Sequence, residues 1–265
     1  MEEKPFDGGG FGKVYKAKWR NDDVAVKVIT VGDEGVSDEV MCEASITISL
    51  KHENVIKLFG ITKVMGDQLG IVMELAEHGS LDNWIGKIDQ DKMTKIAMGI
   101  ISGLEYVHLR KVIHRDIKPK NILMFGPEDD MIPKISDFGV SKVIKTTAVP
   151  KTRVGEELYM APEMKMFNRY DFSADVFSLA ITLFEIFSEH TLQQSPADVT
   201  RYMLQVHSGR IGDIPQTCKV PKYLHNILKR GWNETPEERP KLSEYRSVFQ
   251  SKQSYIFIAY YSQII

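Results

Sequence analysis

The sequence predicts an α+β chain in which strands come first and helices follow. Three observations carry this. Runs of β-forming residues fall before about residue 75, long helical patterns dominate after it, and one polar stretch of irregular pattern, His114-Arg115-Asp116-Ile117-Lys118-Pro119-Lys120-Asn121, lies between a helix and an apolar pair. At 265 residues the chain exceeds one average domain and is within reach of two lobes, with enough residues for a large core. A formal net charge of -2 argues against a nucleic-acid binder, which needs a basic face. Cys42 and Cys218 lie far apart and read as free thiols of a reducing compartment. Met1-Glu2-Glu3-Lys4-Pro5 opens no secretory signal, and no stretch approaches the ~20 apolar residues of a membrane helix. A cytoplasmic enzyme or binding protein is the resulting expectation.

The first element is Asp7-Gly8-Gly9-Gly10-Phe11-Gly12-Lys13-Val14-Tyr15. Its glycines let backbone N–H groups approach an anion, Phe11 is placed to cap the loop tip, and Val14 is placed to pack on a flat apolar ligand; a flexible linker is the plainer alternative. Residues 24–29, Val-Ala-Val-Lys-Val-Ile, read as a strand around Lys27, although a lysine in such a run ordinarily faces solvent. Residues 37–50 read as a helix capped by Ser37, with Glu39 in its first turn and Glu43 further along. Residues 56–61 and 68–75 read as strands joined through Met65-Gly66-Asp67. From Glu74 to Leu81 the chain turns polar and glycine-containing. Residues 93–109 then place Met93, Ile96, Ala97, Ile100, Ile101, Leu104 and Val107 on one helical face.

In the polar stretch, Pro119 forbids a continuous helix and biases Lys118 towards an extended backbone. Asp116 can accept a proton from a hydroxyl, Asn121 offers a neutral oxygen to a hard cation, and Lys118 can neutralise a phosphoryl oxygen. Further on come Ser136-Asp137-Phe138-Gly139 and Ala161-Pro162-Glu163. Residues 174–187 are apolar almost all round, the mark of a buried helix. Prolines at 215, 221 and 236 break the remaining helices before Trp232…Pro236-Glu237-Glu238-Arg239-Pro240. Residues 251–265 form an apolar tail.

Taken together, and over roughly residues 6 to 250, these motifs resemble the eukaryotic protein kinases. The carriers are the Gly-rich loop, the Val-Ala-Val-Lys strand, Glu43, the hinge-like 74–81 segment, the His-Arg-Asp loop, Asp137-Phe138-Gly139, Ala161-Pro162-Glu163 and Arg239. The Trp232 to Pro240 pattern and Gly79-Ser80-Leu81 are most similar to the tyrosine-kinase-like group of serine/threonine kinases. The resemblance implies a two-lobed fold: a small antiparallel β-sheet lobe with one helix (about 1–75) and a larger, mainly helical lobe (about 76–250).

It also implies ATP with Mg²⁺, or Mn²⁺ as an alternative, bound between the lobes, and a protein substrate. Gly8, Gly9, Gly10, Phe11 and Gly12 would cover the phosphates. Val14, Ala25 and Leu123 would enclose the adenine, Met73 would gate the pocket, and Glu74, Ala76 and Ser80 would border the nucleotide. Lys27, held by Glu43, would position the phosphates; Asn121 and Asp137 would hold the metal; Asp116 would act as base, with Lys118 beside the transferred group. His114 is expected to be architectural. Asp175 is expected to hold the catalytic loop, and Arg239 to pair with Glu163. Thr152 is the first candidate for an activating phosphosite opposite Arg115, ahead of Thr146 and Thr147.

The sequence departs from the family pattern in three places. Asp7 stands at the first glycine position, Thr47 where an apolar residue is usual, and Glu156 where a threonine is usual. They keep a pseudokinase scaffold as the alternative reading, with dual specificity as a further one. The reading leaves open a regulatory partner and flanking domains outside the sequence.

Overall fold

The computed structural model describes residues 5, 7–9, 12–30, 48–66, 68–138, 156–166, 171–191, 197–207 and 213–261. Five strands form one antiparallel sheet: β1 (Asp7–Gly9), β2 (Gly12–Trp19), β3 (Asp22–Thr30), β4 (Leu58–Lys63) and β5 (Gln68–Glu74), in the order β1-β2-β3-β5-β4. The central strand, β3, is buried from Val24 to Ile29. Val24, Val26 and Val28 cluster with Tyr15, Ala17, Phe59, Val64 and Val72 on one face. The two-residue period therefore puts Ala25, Lys27 and Ile29 on the other face. With both faces covered, Lys27 is only 9% exposed and departs from the usual solvent-facing lysine.

The β2–β3 hairpin closes through Arg20 and Asn21, with Arg20 at φ 58°, the positive φ that two-residue hairpin loops demand. Gly12 opens β2 at φ 136°, and a Cβ there would lie 2.5 Å from the Val28 carbonyl oxygen. Only glycine fits this close approach of strand to strand.

The strand expected at 56–61 begins two residues later and runs to Lys63. The reason is competition for backbone partners. Val55 forms a parallel bridge with Ile135, and the Ile56 N–H donates to the Ile135 carbonyl at 2.9 Å, so both residues are committed to the other lobe. Leu75 likewise falls outside β5. Of the helix expected at 37–50, Ile48, Ser49 and Leu50 are described; the first two are helical and Leu50 lies past the helix. Glu43 and Thr47 lie outside the described residues, as do Gly10, Phe11, Gly139 and the threonines 146, 147 and 152.

The larger lobe contains α1 (Gln90–Leu109), α2 (Pro162–Met166), α3 (Ser173–Ser188), α4 (Ala197–His207), α5 (Lys222–Gly231) and α6 (Leu242–Tyr261). The α1 helix starts three residues before its expected position because the Asp89 side chain caps it, accepting from the Lys92 N–H at 2.9 Å. Its seven expected core residues are all buried. The α3 helix is buried from Ala174 to Ser188. Its polar residues find partners within reach: Ser178 donates to the Tyr159 carbonyl, Thr182 to the Ser178 carbonyl, and Glu185 accepts from the Tyr159 hydroxyl at 2.6 Å. Phe184 meets Trp232 edge-on at 5.7 Å, and Phe187 stacks on Phe249. The α6 helix continues to Tyr261, so the chain does not break at residue 250, where the tail was expected to begin. Among the described residues, no helix is long and apolar enough to cross a membrane.

The expected Glu163–Arg239 pair is present. Arg239 donates to the two Glu163 carboxylate oxygens at 2.6 and 2.8 Å and also to the Ser173 and Asn233 carbonyls. Its side chain is 1% exposed. Leaving such a carboxylate buried without its cation costs about 3–5 kcal/mol. Arg239→Met is therefore expected to lower unfolding free energy by about that amount in urea titrations, while Glu163→Leu combined with Arg239→Met costs less than the two single changes added together.

Candidate active site

Past α1, the chain reaches His114 and enters a loop suspended from α3. The Asp175 carboxylate accepts the backbone N–H of His114 at 2.9 Å and of Arg115 at 2.8 Å, and His108 Nε2 lies 2.8 Å away. Arg115 adopts φ 73°, a left-handed conformation that the Asp175 contact holds in place. His114 is fully buried, and burial lowers its pKa, so the ring is neutral. Its Nε2 donates to the Ser136 carbonyl at 2.8 Å and its Nδ1 accepts from the Asp116 N–H at 3.2 Å, which fixes the tautomer. Phe138 packs edge-on against the ring at 4.8 Å. His114 is thus a joint between the loop and the Ser136–Phe138 segment.

Lys118 has φ -162° and ψ 161°, the extended backbone expected before Pro119, and a single 3-10 turn, Pro119–Asn121, follows. This turn points Asn121 back along the loop. Its Nδ2 donates to the Asp116 carbonyl at 2.7 Å and to Asp116 Oδ2 at 2.9 Å. Both bonds use the amide nitrogen, so the carbonyl oxygen is the atom with which Asn121 would meet a cation. Lys118 Nζ lies 3.1 Å from the same Asp116 oxygen, with only 7% of its side chain exposed. Ser136 then donates to the Asn121 backbone carbonyl from both its N–H and its hydroxyl. The next residue, Asp137, has φ 62° and receives Lys27 Nζ at 2.6 Å. A continuous set of contacts therefore gathers Lys27, Asp137, Asn121, Asp116 and Lys118 from both lobes.

Val14 pairs with Lys27, and Ala25 with Met73, across neighbouring strands, so these residues follow the sheet face that carries Lys27. Gly8 and Gly9 pair with Lys13 and Gly12 in the β1–β2 hairpin. Leu123 lies on the two-stranded sheet of β6 (Ile122–Phe125) and β7 (Ile132–Ile135), and it bridges to Ser80. Met73, Ala76 and Leu123 pack on the large core. The Ser80 hydroxyl is committed locally, donating to Asp82 at 2.5 Å.

Glu74, expected to border the nucleotide, also makes side-chain contacts of its own. Its N–H donates to the Lys57 carbonyl, and its carboxylate takes the Lys57 N–H and Lys134 Nζ. Sequence reasoning passed over Lys134 and His108, because each looks like an ordinary helix or strand residue until its distant carboxylate partner is known. Among the described residues, no group of three or more His, Cys, Asp or Glu could hold a metal ion. Asn121 with Asp137 suits an ion that takes its remaining ligands from phosphate and water, as Mg²⁺ does.

Comparison with known proteins finds similar sequences among the protein kinases. The chain is 30% identical over 273 residues to the tyrosine-protein kinase FRK of Homo sapiens, covering 95% of this chain and 52% of that protein. It is 32% identical over 248 residues to serine/threonine-protein kinase 10 of Xenopus tropicalis, covering 89% and 26%. It is 29% identical over 252 residues to the mitogen-activated protein kinase kinase kinase zak-1 of Caenorhabditis elegans, covering 89% and 33%. The chain thus spans between 26% and 52% of the length of these relatives. A family model for the protein kinase domain matches residues 4–251, nearly the whole sequence, and the chain belongs to that family.

Proposed function

We propose that the chain transfers the γ-phosphoryl group of ATP to serine or threonine hydroxyls of proteins, in cytoplasmic signalling. The observation that carries this reading is the Asp116–Lys118–Asn121 cluster, in which one carboxylate is oriented by an ammonium at 3.1 Å and an amide at 2.9 Å. Lys118, two residues past Asp116, is the serine/threonine pattern of the loop.

The residues fit the nucleotide and metal. Gly8, Gly9 and Gly12 of the β1–β2 hairpin carry no Cβ to hold phosphates away from the backbone, Lys27 offers a cation, and Asn121 with Asp137 offers two oxygen ligands. When bound, Mg²⁺ would supply charge neutralisation to the phosphoryl oxygens. Asp116 orients the substrate hydroxyl and accepts its proton. Lys118 offsets charge on the transferred group, and Lys27 positions the α- and β-phosphates, aided by Glu43. Most of the acceleration comes from positioning and preorganised charge rather than covalent chemistry. Asp7, paired with Val14 where the family pattern has glycine, favours a second reading as a nucleotide-binding pseudokinase.

A phosphate-transfer assay decides between the two readings. Wild type is expected to label a protein substrate from radiolabelled ATP. Asp116→Asn is expected to lose ~10²- to 10⁴-fold in turnover, the usual worth of a general base, or roughly 3–5 kcal/mol of barrier. Its ATP affinity stays near that of wild type. Equal rates would remove Asp116 from the chemistry, and an inactive wild type that still binds ATP would leave the pseudokinase.

Substrate choice follows from Lys120, which is exposed on the 3-10 turn beside Asp116. A cation there repels arginine upstream of the target residue. A peptide array is expected to disfavour basic upstream positions, and Lys120→Glu to relieve that bias; an array of wild type that prefers upstream arginine would refute the assignment.

A further inference from the structure

The face of the five-stranded sheet opposite Lys27 ends in an aromatic pair beside the β2–β3 hairpin. Trp19, the last residue of β2, is 39% exposed, and its ring lies 5.1 Å from that of Phe59 on β4. Each ring carries a cation. The Arg20 guanidinium lies 4.7 Å from the centre of the Trp19 ring, and Lys57 Nζ lies 5.0 Å from the centre of the Phe59 ring. Val24 and Val26 are buried in the same cluster, with Tyr15 and Val72 packed against them.

Both cations spring from a fixed backbone. Arg20 occupies the two-residue turn at φ 58°, and Lys57 has its N–H and its carbonyl both bonded to Glu74. Among the described residues, neither side chain forms an ion pair with a carboxylate. Lys13 pairs across the strands with Val28, so it adds a third exposed cation to this face. Against them stands Asp22, opposite Trp19 at the hairpin tip. Asp23 beside it is paired with Lys18 at 2.9 Å, and Glu74 is committed to Lys134. The face is therefore positive, although the chain as a whole carries a formal net charge of -2.

Exposed aromatic rings beside cations without carboxylate partners have the composition of a recognition surface, where Trp, Tyr and Arg carry most of the binding energy. Charge complementarity selects an anionic partner, and the pattern selects its kind. A nucleic-acid base would have to displace a cation to stack on either ring. A lipid surface or a phosphate backbone is a continuous anion and would press on Asp22 and Asp23 at the tip. A peptide can instead set separate carboxylates over Arg20 and Lys57, with an apolar side chain between them. We propose that this face docks an acidic segment of a partner protein, its carboxylates on Arg20 and Lys57 and an apolar side chain against Trp19 and Phe59. The docking face lies across β3 from Lys27, so the inference stands apart from the kinase reading.

The test uses the full chain and four probes: a labelled peptide of Asp and Glu around one Phe, the same peptide with Asn and Gln in their place, phosphatidylserine vesicles and a single-stranded oligonucleotide. Anisotropy is expected to give the acidic peptide a Kd on the order of 10⁻⁵ M, as suits a patch smaller than a standard interface, and the amide peptide about ten-fold weaker binding. Arg20→Asn, which keeps a residue tolerant of positive φ, and Lys57→Ser are each expected to weaken binding about five-fold, with wild-type melting temperatures. Lys57→Arg retains binding. Of the three tryptophans, Trp232 is buried and Trp84 half-buried. The acidic peptide is therefore expected to shift tryptophan emission in wild type and not in Trp19→Phe.

Equal affinity for the acidic and the amide peptide overturns the inference, and so does unchanged affinity in the Arg20→Asn, Lys57→Ser double variant. Where that variant melts below wild type, Lys57→Ser is set against Lys57→Arg, and equal affinity of those two overturns it. Displacement of the peptide by ATP would place the peptide between the lobes and likewise overturn the docking face. Tighter binding of the vesicles or the oligonucleotide, lost in the same double variant, would assign the face to a membrane or a nucleic acid instead.

Discussion

One buried carboxylate organises the site. Asp175 lies in the first turn of α3 and is fully enclosed, so its charge must be balanced by donors rather than by water. It collects two backbone N–H groups and the His108 ring, and the N-terminal end of the helix dipole favours a negative charge there. Because α3 is packed on every side, the anchor is rigid. The loop that hangs from it can therefore hold Arg115 in a left-handed conformation, and a second such residue, Asp137, stands one connection away. Strain of this kind persists only where surrounding contacts over-determine the backbone.

The short strand β7 is the other fixed point. Ile135 donates to the Asn54 carbonyl and accepts from Ile56, Lys134 reaches Glu74, and Ile122 pairs across from Ile135. Four residues thus touch the lead-in to β4, the end of β5 and the strand after the His114–Asn121 loop. Asp137 follows two residues later, so its position relative to Lys27 is inherited from β7. This arrangement also accounts for the late start of β4, since Val55 and Ile56 cannot serve two sheets at once.

Much of this was legible in the sequence, because local patterns carry local structure. The face of α1, the all-round burial of α3 and the extended backbone of Lys118 follow from spacing and from proline chemistry. The order of motifs correctly anticipated the Glu163–Arg239 pair and the hold of Asp175 on the loop. What spacing alone left open depends on partners distant in the chain. The burial of Lys27 follows from the central place of β3, which is a property of the sheet order. The partners of Lys134 and His108 lie 60 and 67 residues away, and no periodicity links them. The start of β4 was misjudged because the apolar residues Ile56, Leu58, Phe59 and Ile61 look alike whichever sheet recruits them.

The contact between Lys27 and Asp137 carries a consequence for experiments on this chain. It joins the central strand of one lobe to a left-handed residue of the other, with 11% and 22% of the two side chains exposed. Replacing Lys27 by an uncharged residue would remove a cation from the site proposed for the phosphates. It would also cut a mechanical link and leave a partly enclosed carboxylate without this partner. A variant made inactive at Lys27 is thus a poor stand-in for the resting protein when shape is being read, in partner binding or in cellular abundance. An inactive control that preserves the architecture is better sought at a side chain that spans no lobe boundary.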